Sequence, residues 1–461
     1  MSSAAPDAPL TFPRVRDDFQ VHLRARGGGL LVDARRGEEE AVGRPVALAL
    51  RMMTGERPYA AMASGYAAQS GMDVSDAGTA LAEIVAQFTR EGIVELHDVR
   101  QTPRTFSPPL ESPYQLRVIQ LQLTNKCNLT CPHCYARSGA RAARELSLDS
   151  KLALIDAFAD LGGVRLFLTG GETLLDRDLR AVIAHAKSRH LFVYLSTNGF
   201  GVNERAAARL TGLGVGAVNV SIDGAHAETH DAFRGRKGAY DQAVRALRAF
   251  IQAGAACASH TTLTKANLGQ SVEISRQMRA LGARASYFVR MLPQGRALEH
   301  QELIPTMEEY AAEREAELRA RPRGPGGLAP SSPPPAQTAR CSAARSQIYV
   351  RADGACFPCP SLEDDTLAMG VFPDRPLVEI WRGGNADVEA MRRFEPRTIA
   401  ECRDCRHQKQ CRGGCAGNSL HLYGDWRRAD PHLCVLMGIR ERLDAEIAQS
   451  SSRASPGPRL L

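Results

Sequence analysis

Eleven of the twelve cysteines in this 461-residue chain fall in spaced groups, and their spacing limits the fold more than any other feature. The polar stretch Met1 to Phe19 has no apolar core of a secretion signal, so a cytoplasmic location is the expectation. In a reducing compartment, grouped thiols serve better as metal ligands than as disulfides. The first group, Cys127-x3-Cys131-x2-Cys134, follows directly on an apolar strand pattern at Arg117 to Thr124. Three close thiolates suit a cubane cluster, in which each sulfur takes one iron and the fourth iron keeps an open position. A structural zinc site wants four protein ligands, commonly in paired CxxC knuckles, and this group offers three.

Around that group the pattern alternates between strand and helix. Six strands are expected at 117–124, 164–169, 191–197, 217–222, 258–263 and 285–290, with helices at about 147–161, 177–189, 203–213, 239–253 and 270–281. The alternation predicts a parallel sheet with helices outside, and six units predict an open, partial barrel over 116–310. Residues 13–100 form a separate unit, with short strands at 21–23 and 30–32, helices at 45–54, 58–69 and 76–91, and a closing strand at 93–96. Residues 1 to about 12 and the tail from Ser450 read as disordered. Residues 101–113 carry four prolines and read as a linker, as does the Pro/Gly/Ser-rich stretch 321–340. The remainder, 341–449, holds eight cysteines and reads as loop-rich, held together by metal.

Composition excludes some classes. A 44% hydrophobic content supports a buried core, and no stretch approaches the ~20 apolar residues that span a bilayer. The net charge of +7 is scattered, apart from pairs such as Arg35-Arg36 and Arg392-Arg393, so neither nucleic acid nor membrane is expected as a partner.

Short motifs stand at successive strand ends: Gly170-Gly171-Glu172 after the second, Ser196-Thr197-Asn198-Gly199 after the third and Ser221-Ile222-Asp223-Gly224 after the fourth. His230-Asp231-Ala232-Phe233-Arg234-Gly235 follows, and Arg290 with Pro293-Gln294-Gly295-Arg296-Ala297 ends the sixth unit. Together with Cys127, Cys131, Cys134 and Tyr135, these resemble the radical S-adenosylmethionine (SAM) superfamily across 116–310. The resemblance implies a [4Fe–4S] cluster on the three cysteines, with SAM chelating its open iron. It further implies Tyr135 near the adenine, Glu172 on the SAM amino group, and Ser221 and Arg234 on the SAM carboxylate. Gly170, Gly171, Ser196, Asn198 and Asp223 complete the expected cofactor contacts. The chain reads GGET where GGEP is usual. His133 reads as a packing or solvated side chain.

The C-terminal pattern is Cys402-x2-Cys405-x5-Cys411-x3-Cys415, then Cys434, with Cys341, Gly354, Cys356 and Cys359 upstream. It resembles the SPASM domain, the auxiliary-cluster domain of peptide-modifying radical SAM enzymes. By that resemblance Cys402, Cys405, Cys411 and Cys434 hold one auxiliary [4Fe–4S] cluster, and Cys341, Cys359 and Cys415 the other. Cys356 is extra to the pattern and is a candidate fourth ligand of the latter. Cys257, left over, reads as a buried small apolar residue. A zinc ribbon or pair of knuckles is the competing reading of the CxxC spacing.

Residues 13–100 resemble the PqqD-like recognition element of enzymes that modify ribosomally made peptides, a winged-helix-like domain. A DNA-binding winged helix or a structural cap are the other readings. The combined resemblance implies a three-cluster enzyme that modifies a precursor peptide through a 5′-deoxyadenosyl radical, installing a C–C or thioether cross-link. Its partners would be the precursor, with its leader on the N-terminal domain, and an electron donor such as flavodoxin or ferredoxin. Oxidation of a protein side chain, as in sulfatase maturases, modification of a tetrapyrrole or other small molecule, and a non-enzymatic zinc scaffold are the alternatives.

Overall fold

The structure is a computed structural model that describes residues 11–24, 27–106, 114–139, 144–321, 323–324, 327–328 and 341–453. Two compact units emerge. One holds Met1–Arg117 with Ile155–Arg165 and Ala186–Phe192, and the other holds Val118–Leu154, Leu166–His185 and Val193–Leu461.

In the first unit β1 (Phe12–Val15) pairs antiparallel with β5 (Val94–His97). Strands β2 (Phe19–Leu23), β3 (Gly29–Asp33) and β4 (Glu38–Val42) form an antiparallel meander. Helices α1 (Arg44–Met52), α2 (Ala63–Ser70) and α3 (Val74–Arg90) follow. Pro45 suits the first turn of α1, where its missing N–H removes no bond. Asp73 caps α3 by accepting from the N–H groups of Ser75 and Asp76. The apolar faces meet in a core that includes Val15, Leu50, Tyr66, Leu81 and Phe88. Sequence reading misses β1 and β4. The segment Glu38-Glu39-Glu40-Ala41-Val42 has little strand propensity, and pairing with β3 overrides it.

Side chains occupy the outer edge of β2. Arg104 donates to the carbonyl of Phe19, Arg51 Nη1 to that of Val21 at 2.9 Å and Gln115 Nε2 to that of Leu23 at 3.2 Å. These are alternate carbonyls, the ones an added strand would need, so this edge is closed to further pairing. Strand β4 has no strand partner on its outer side among the described residues.

The second unit is built on a nine-stranded sheet in which β6 (Val118–Gln122), β7 (Arg165–Thr169), β8 (Phe192–Thr197), β9 (Val215–Ser221), β10 (Ala256–Leu263) and β11 (Ala285–Arg290) lie side by side in chain order. Strands β8 to β11 are parallel to one another. Between them run α4 (Leu148–Asp160), α5 (Leu179–Ser188), α6 (Glu204–Leu213), α7 (Ala227–Arg234), α8 (Ala239–Gln252) and α9 (Ser271–Ala280). This is the expected open α/β barrel, with α7 added where the HDAFRG segment had been read only as a motif. Alternate residues of β10 such as Cys257, Ser259, Thr261 and Leu263 are buried, while His260 and Thr262 on the other face stay partly exposed. After β11, α10 (Met307–Ala320) starts with a capping box of Thr306 and Glu309.

Residues 323–324 and 327–328 pair as β12 and β13. The rest of the expected 321–340 linker after Arg321 lies outside the described residues, as do 107–113 of the earlier one, residues 1–10 and the tail after Arg453. Next, β14 (Gln347–Val350) adds parallel to β6 and extends the sheet through β15 (Ala355–Phe357) and β16 (Gly370–Val371), both antiparallel. The C-terminal region is less loop-rich than expected. It contains α11 (Leu377–Arg382), α12 (Ala386–Arg393), α13 (Gln408–Cys411), α14 (Ala416–Tyr423) and the long α15 (Pro431–Arg453), which runs past Ser450.

One buried ion pair anchors the start of α4. Lys151 is 2% exposed, and its Nζ lies 2.8 Å from Asp176 and 3.0 Å from Asp178, in the turn that follows Glu172. Lys151→Met leaves the buried Asp176 without its cation and Asp178 with only the exposed Arg177 at 3.6 Å, and we expect it to destabilise the protein by about 3–5 kcal/mol, read as a lowered unfolding midpoint.

Candidate active site and cysteine groups

The loop leaving β6 carries the first cysteine group and is laced to its surroundings by main-chain bonds. Cys127 N donates to Gly139 O at 3.1 Å, and Gly139 N to Asn125 O at 3.0 Å. Glu145 accepts from Thr124 Oγ1 at 3.0 Å and Asn125 N at 2.9 Å. On the far side Arg296 N donates to Cys134 O at 2.9 Å, and Arg296 Nη1 to Cys131 O at 2.8 Å. The three thiols are thereby held as electrostatic neighbours. Burial, with the other two thiols, pushes Cys127 up to about 11. Burial also raises Cys131, opposed by Arg234.

The Gly170-Gly171-Glu172 turn at the end of β7 folds onto this loop. Gly171 N donates to Thr124 O and Glu172 N to Lys126 O, each at 2.8 Å. The approach excludes a side chain: a Cβ on Gly171 would stand 2.3 Å from Lys126 O. Glu172 is buried and accepts from Thr197 Oγ1 at 2.7 Å, Asn198 N at 2.7 Å and Leu174 N at 3.0 Å. Burial pushes its carboxyl up and these donors pull it down. Three bonds leave one of a carboxylate's about four acceptor positions open, enough for an ammonium. Asn198 is fixed by bonds to Asn128 Oδ1 and Phe200 N. Ser196 and Ser221 occupy partly exposed positions on β8 and β9.

Arg234 is placed differently from the expectation that it takes a carboxylate from SAM. Its guanidinium pairs with Asp223, and Nη1 points at Cys131 Sγ, 3.6 Å away. Asp223 itself is fully buried and accepts from Thr262 N at 2.7 Å. Arg234 therefore lies where it favours a thiolate at Cys131. His230 accepts from Asp223 N at 3.0 Å, and burial lowers its pKa to about 4. His133 stacks on Phe233, with ring centroids 4.6 Å apart, so its role is packing. Burial pushes the Tyr135 hydroxyl up to about 12, with Cys134 and Cys359 adding to it.

The remaining cysteines sort into two sets. Cys359 senses Cys341 and Cys415, and Cys415 senses Cys341. Cys411 senses Cys402 and Cys405, and Cys434 senses Cys411 and Cys405. Burial and these neighbours push Cys415 up to about 12 and Cys434 to about 11. Cys356 stands apart from both sets. It is fully buried in β15, its Sγ donates to Gly354 O at 3.3 Å, and no other cysteine is among the charges it senses. The structure thus does not bring the candidate fourth ligand to Cys341, Cys359 and Cys415. Cys257 is 2% exposed in β10.

All twelve cysteines are free thiols. Among the described residues no three His, Cys, Asp or Glu side chains converge closely enough to chelate a single ion. The donor set itself, three thiols in the first group and further thiols in two others, is one that a cubane takes, with an iron to each sulfur. Sequence reading does not single out Glu145 or Asp430, and it includes Thr197 only as part of the Ser196-Thr197-Asn198-Gly199 motif. Asp430 carries a signal of its own, as the Asp-Pro start of α15.

Comparison with known proteins gives two family matches: "Radical SAM superfamily" over residues 121–272 and "Iron-sulfur cluster-binding domain" (SPASM) over 341–406. The chain is 33% identical to the mycofactocin maturase MftC of Mycobacterium ulcerans over 304 residues, 64% of this chain and 81% of that protein. It is 28% identical to an AdoMet-dependent heme synthase of Nitratidesulfovibrio vulgaris over 365 residues, 73% of this chain and 96% of that protein. Its fold matches the crystal structure of Streptococcus suis SuiB bound to precursor peptide SuiA, with a TM-score of 0.61 at 13% identity, covering 92% of this chain and 99% of that one. No described helix is long and apolar enough to cross a membrane.

Replacing Cys356 with alanine should leave iron and acid-labile sulfide per chain unchanged after anaerobic reconstitution. Replacing Cys359 should lower both by about one cluster's share.

Proposed function

The chain belongs to the radical SAM superfamily, and from that membership we propose that it matures a ribosomally made peptide, using a SAM-binding cluster on Cys127, Cys131 and Cys134 and auxiliary clusters on Cys341, Cys359 and Cys415 and on Cys402, Cys405, Cys411 and Cys434. The observation that carries this reading is the first unit's antiparallel meander. Side chains block the β2 edge, and β4 is left to accept an extended segment. A leader peptide added there would gain affinity from main-chain bonds and selectivity from alternate side chains. The precursor-bound SuiB structure has this fold. The domains follow as 13–100 for recognition, 116–310 for the radical SAM core, 321–340 for the linker and 341–449 for the auxiliary clusters.

Bound SAM and its reduced cluster supply a 5′-deoxyadenosyl radical that can remove a hydrogen atom from an unactivated carbon. The chain's own residues prepare for this. Glu172 offers a buried acceptor to the SAM ammonium, and the close turn at Gly170 and Gly171 lets the backbone approach it. Ser196, Asn198 and Ser221 line the strand ends, and Tyr135 offers a ring beside Cys134. Arg234 and Asp223 form a buried pair beside Cys131 that would steady it as a ligand. A C–C or thioether cross-link removes two hydrogens from the peptide, and auxiliary clusters held by Cys341, Cys359 and Cys415 and by Cys402, Cys405, Cys411 and Cys434 would take the surplus electron. A soluble donor of the flavodoxin or ferredoxin kind would reduce the first cluster.

The likeness to AdoMet-dependent heme synthases supports a second reading, modification of a tetrapyrrole. The two readings separate in one experiment. The reconstituted enzyme is given SAM, reductant and the short peptide encoded beside its gene. Peptide maturation predicts release of 5′-deoxyadenosine with a peptide two hydrogens lighter, and slowing when the leader half is added as a competitor. An unchanged peptide mass, with turnover of a tetrapyrrole instead, would overturn it. Glu172→Gln should weaken SAM binding roughly tenfold to a hundredfold in equilibrium binding, the effect of losing a charge-assisted bond.

A further inference from the structure

Asp430 is the carboxylate that both auxiliary cysteine sets share. It is 2% exposed. Its Oδ2 accepts from Cys415 N at 3.0 Å, and both oxygens accept from Asn418 Nδ2 at 3.1 Å. Its Oδ1 also accepts from His432 N at 3.0 Å, in the first turn of α15. Through its main chain it binds Gly413 O and receives Cys434 N, each at 3.1 Å. One residue therefore ties the loop bearing Cys411 and Cys415 to the helix bearing Cys434. The fit is tight: Gly414 has φ +76°, and a Cβ there would lie 2.3 Å from Asp430 Cβ.

A helix cap alone does not explain this arrangement. Capping requires only the N–H groups at the start of α15, which serine or asparagine would also bind. The second oxygen instead reaches across to the Cys415 loop. Every hydrogen bond the carboxylate receives comes from an N–H donor, and no lysine or arginine pairs with it among the described residues. Its charge is thus left to act on its surroundings, next to Cys415 of one set, whose N–H it receives on its side chain, and next to Cys434 of the other, whose N–H it receives on its main chain.

We infer that Asp430 is a positioning residue common to both auxiliary clusters, and that its negative charge holds down the electron affinity of the two together. This rests on the reading that the two cysteine sets each carry a cluster. Cluster potentials follow local charge and hydrogen bonding, and adding an electron beside a fixed carboxylate is disfavoured. Removing the charge makes both auxiliary clusters easier to reduce and leaves the Cys127, Cys131 and Cys134 cluster as it was.

The test uses the full-length enzyme, reconstituted anaerobically, as wild type, Asp430→Asn and Asp430→Ser. The serine variant keeps a helix cap, so it provides a readout if the asparagine variant fails to load. Iron and sulfide are measured, and the potentials are followed by a redox titration monitored by electron paramagnetic resonance. The expected result is wild-type iron content, an unmoved first cluster and a positive shift of both auxiliary potentials. Unmoved auxiliary potentials at full loading would overturn the inference, as would a shift confined to one of them. So would loss of iron from all three sites alike in both variants, because Asp430 would then serve the fold as a whole. Wild-type protein that binds only one cluster would instead refute the assignment of the two cysteine sets.

Discussion

Crowding of thiols is the constraint from which the rest of this molecule follows. A thiol withdrawn from water resists ionisation, and a second or third beside it resists further, as the raised values at the half-buried Cys127 and Cys415 show. Such groups become stable ligands only when a cationic centre draws off the charge of several sulfurs at once. The fold therefore has to hold the thiols in place by other means. It does so with main-chain bonds, from Gly139, Arg296 and the Gly171 turn at the first set, and through Asp430 at the others.

The parallel sheet accounts for how distant segments reach one place. Strands β7, β8 and β9 deliver Glu172, Asn198 and Asp223 from their C-terminal ends, next to the loop that follows β6. Each arrives already bonded: Glu172 to Thr197 and Asn198, Asp223 to Thr262 and Arg234. Polar side chains buried this deeply are held because their partners come from adjacent strands and, for Asp223, from α7. β14 then joins the sheet beside β6, so the polypeptide carrying Cys356 and Cys359 grows out of the same sheet as the first cysteine loop.

Much of this was legible in the residues. Strand β11 lies at 285–290 as read, and the other barrel strands differ from the reading by a residue or two at their ends. Their apolar runs are long because both faces are covered. What was not legible depended on pairing or direction. Strand β4, with its three glutamates, is a strand because β3 pairs with it. Cys356 stands two residues before Pro358 and three before Cys359, a spacing that reads as a knuckle. It sits instead within β15, pointing into the core, and spacing alone does not say which face of a strand a side chain takes. Arg234 looked free because its partner Asp223, eleven positions earlier, belongs to a different element.

The position of Cys434 has a bearing on biosynthesis. It stands in the opening turn of α15, the last helix of the chain, while Cys402, Cys405 and Cys411 precede it on the other side of α14. That fourth sulfur leaves the ribosome after the whole barrel and after the other three. Any inorganic centre requiring all four is consequently completed only once the barrel has been made, and α15 serves as the latch.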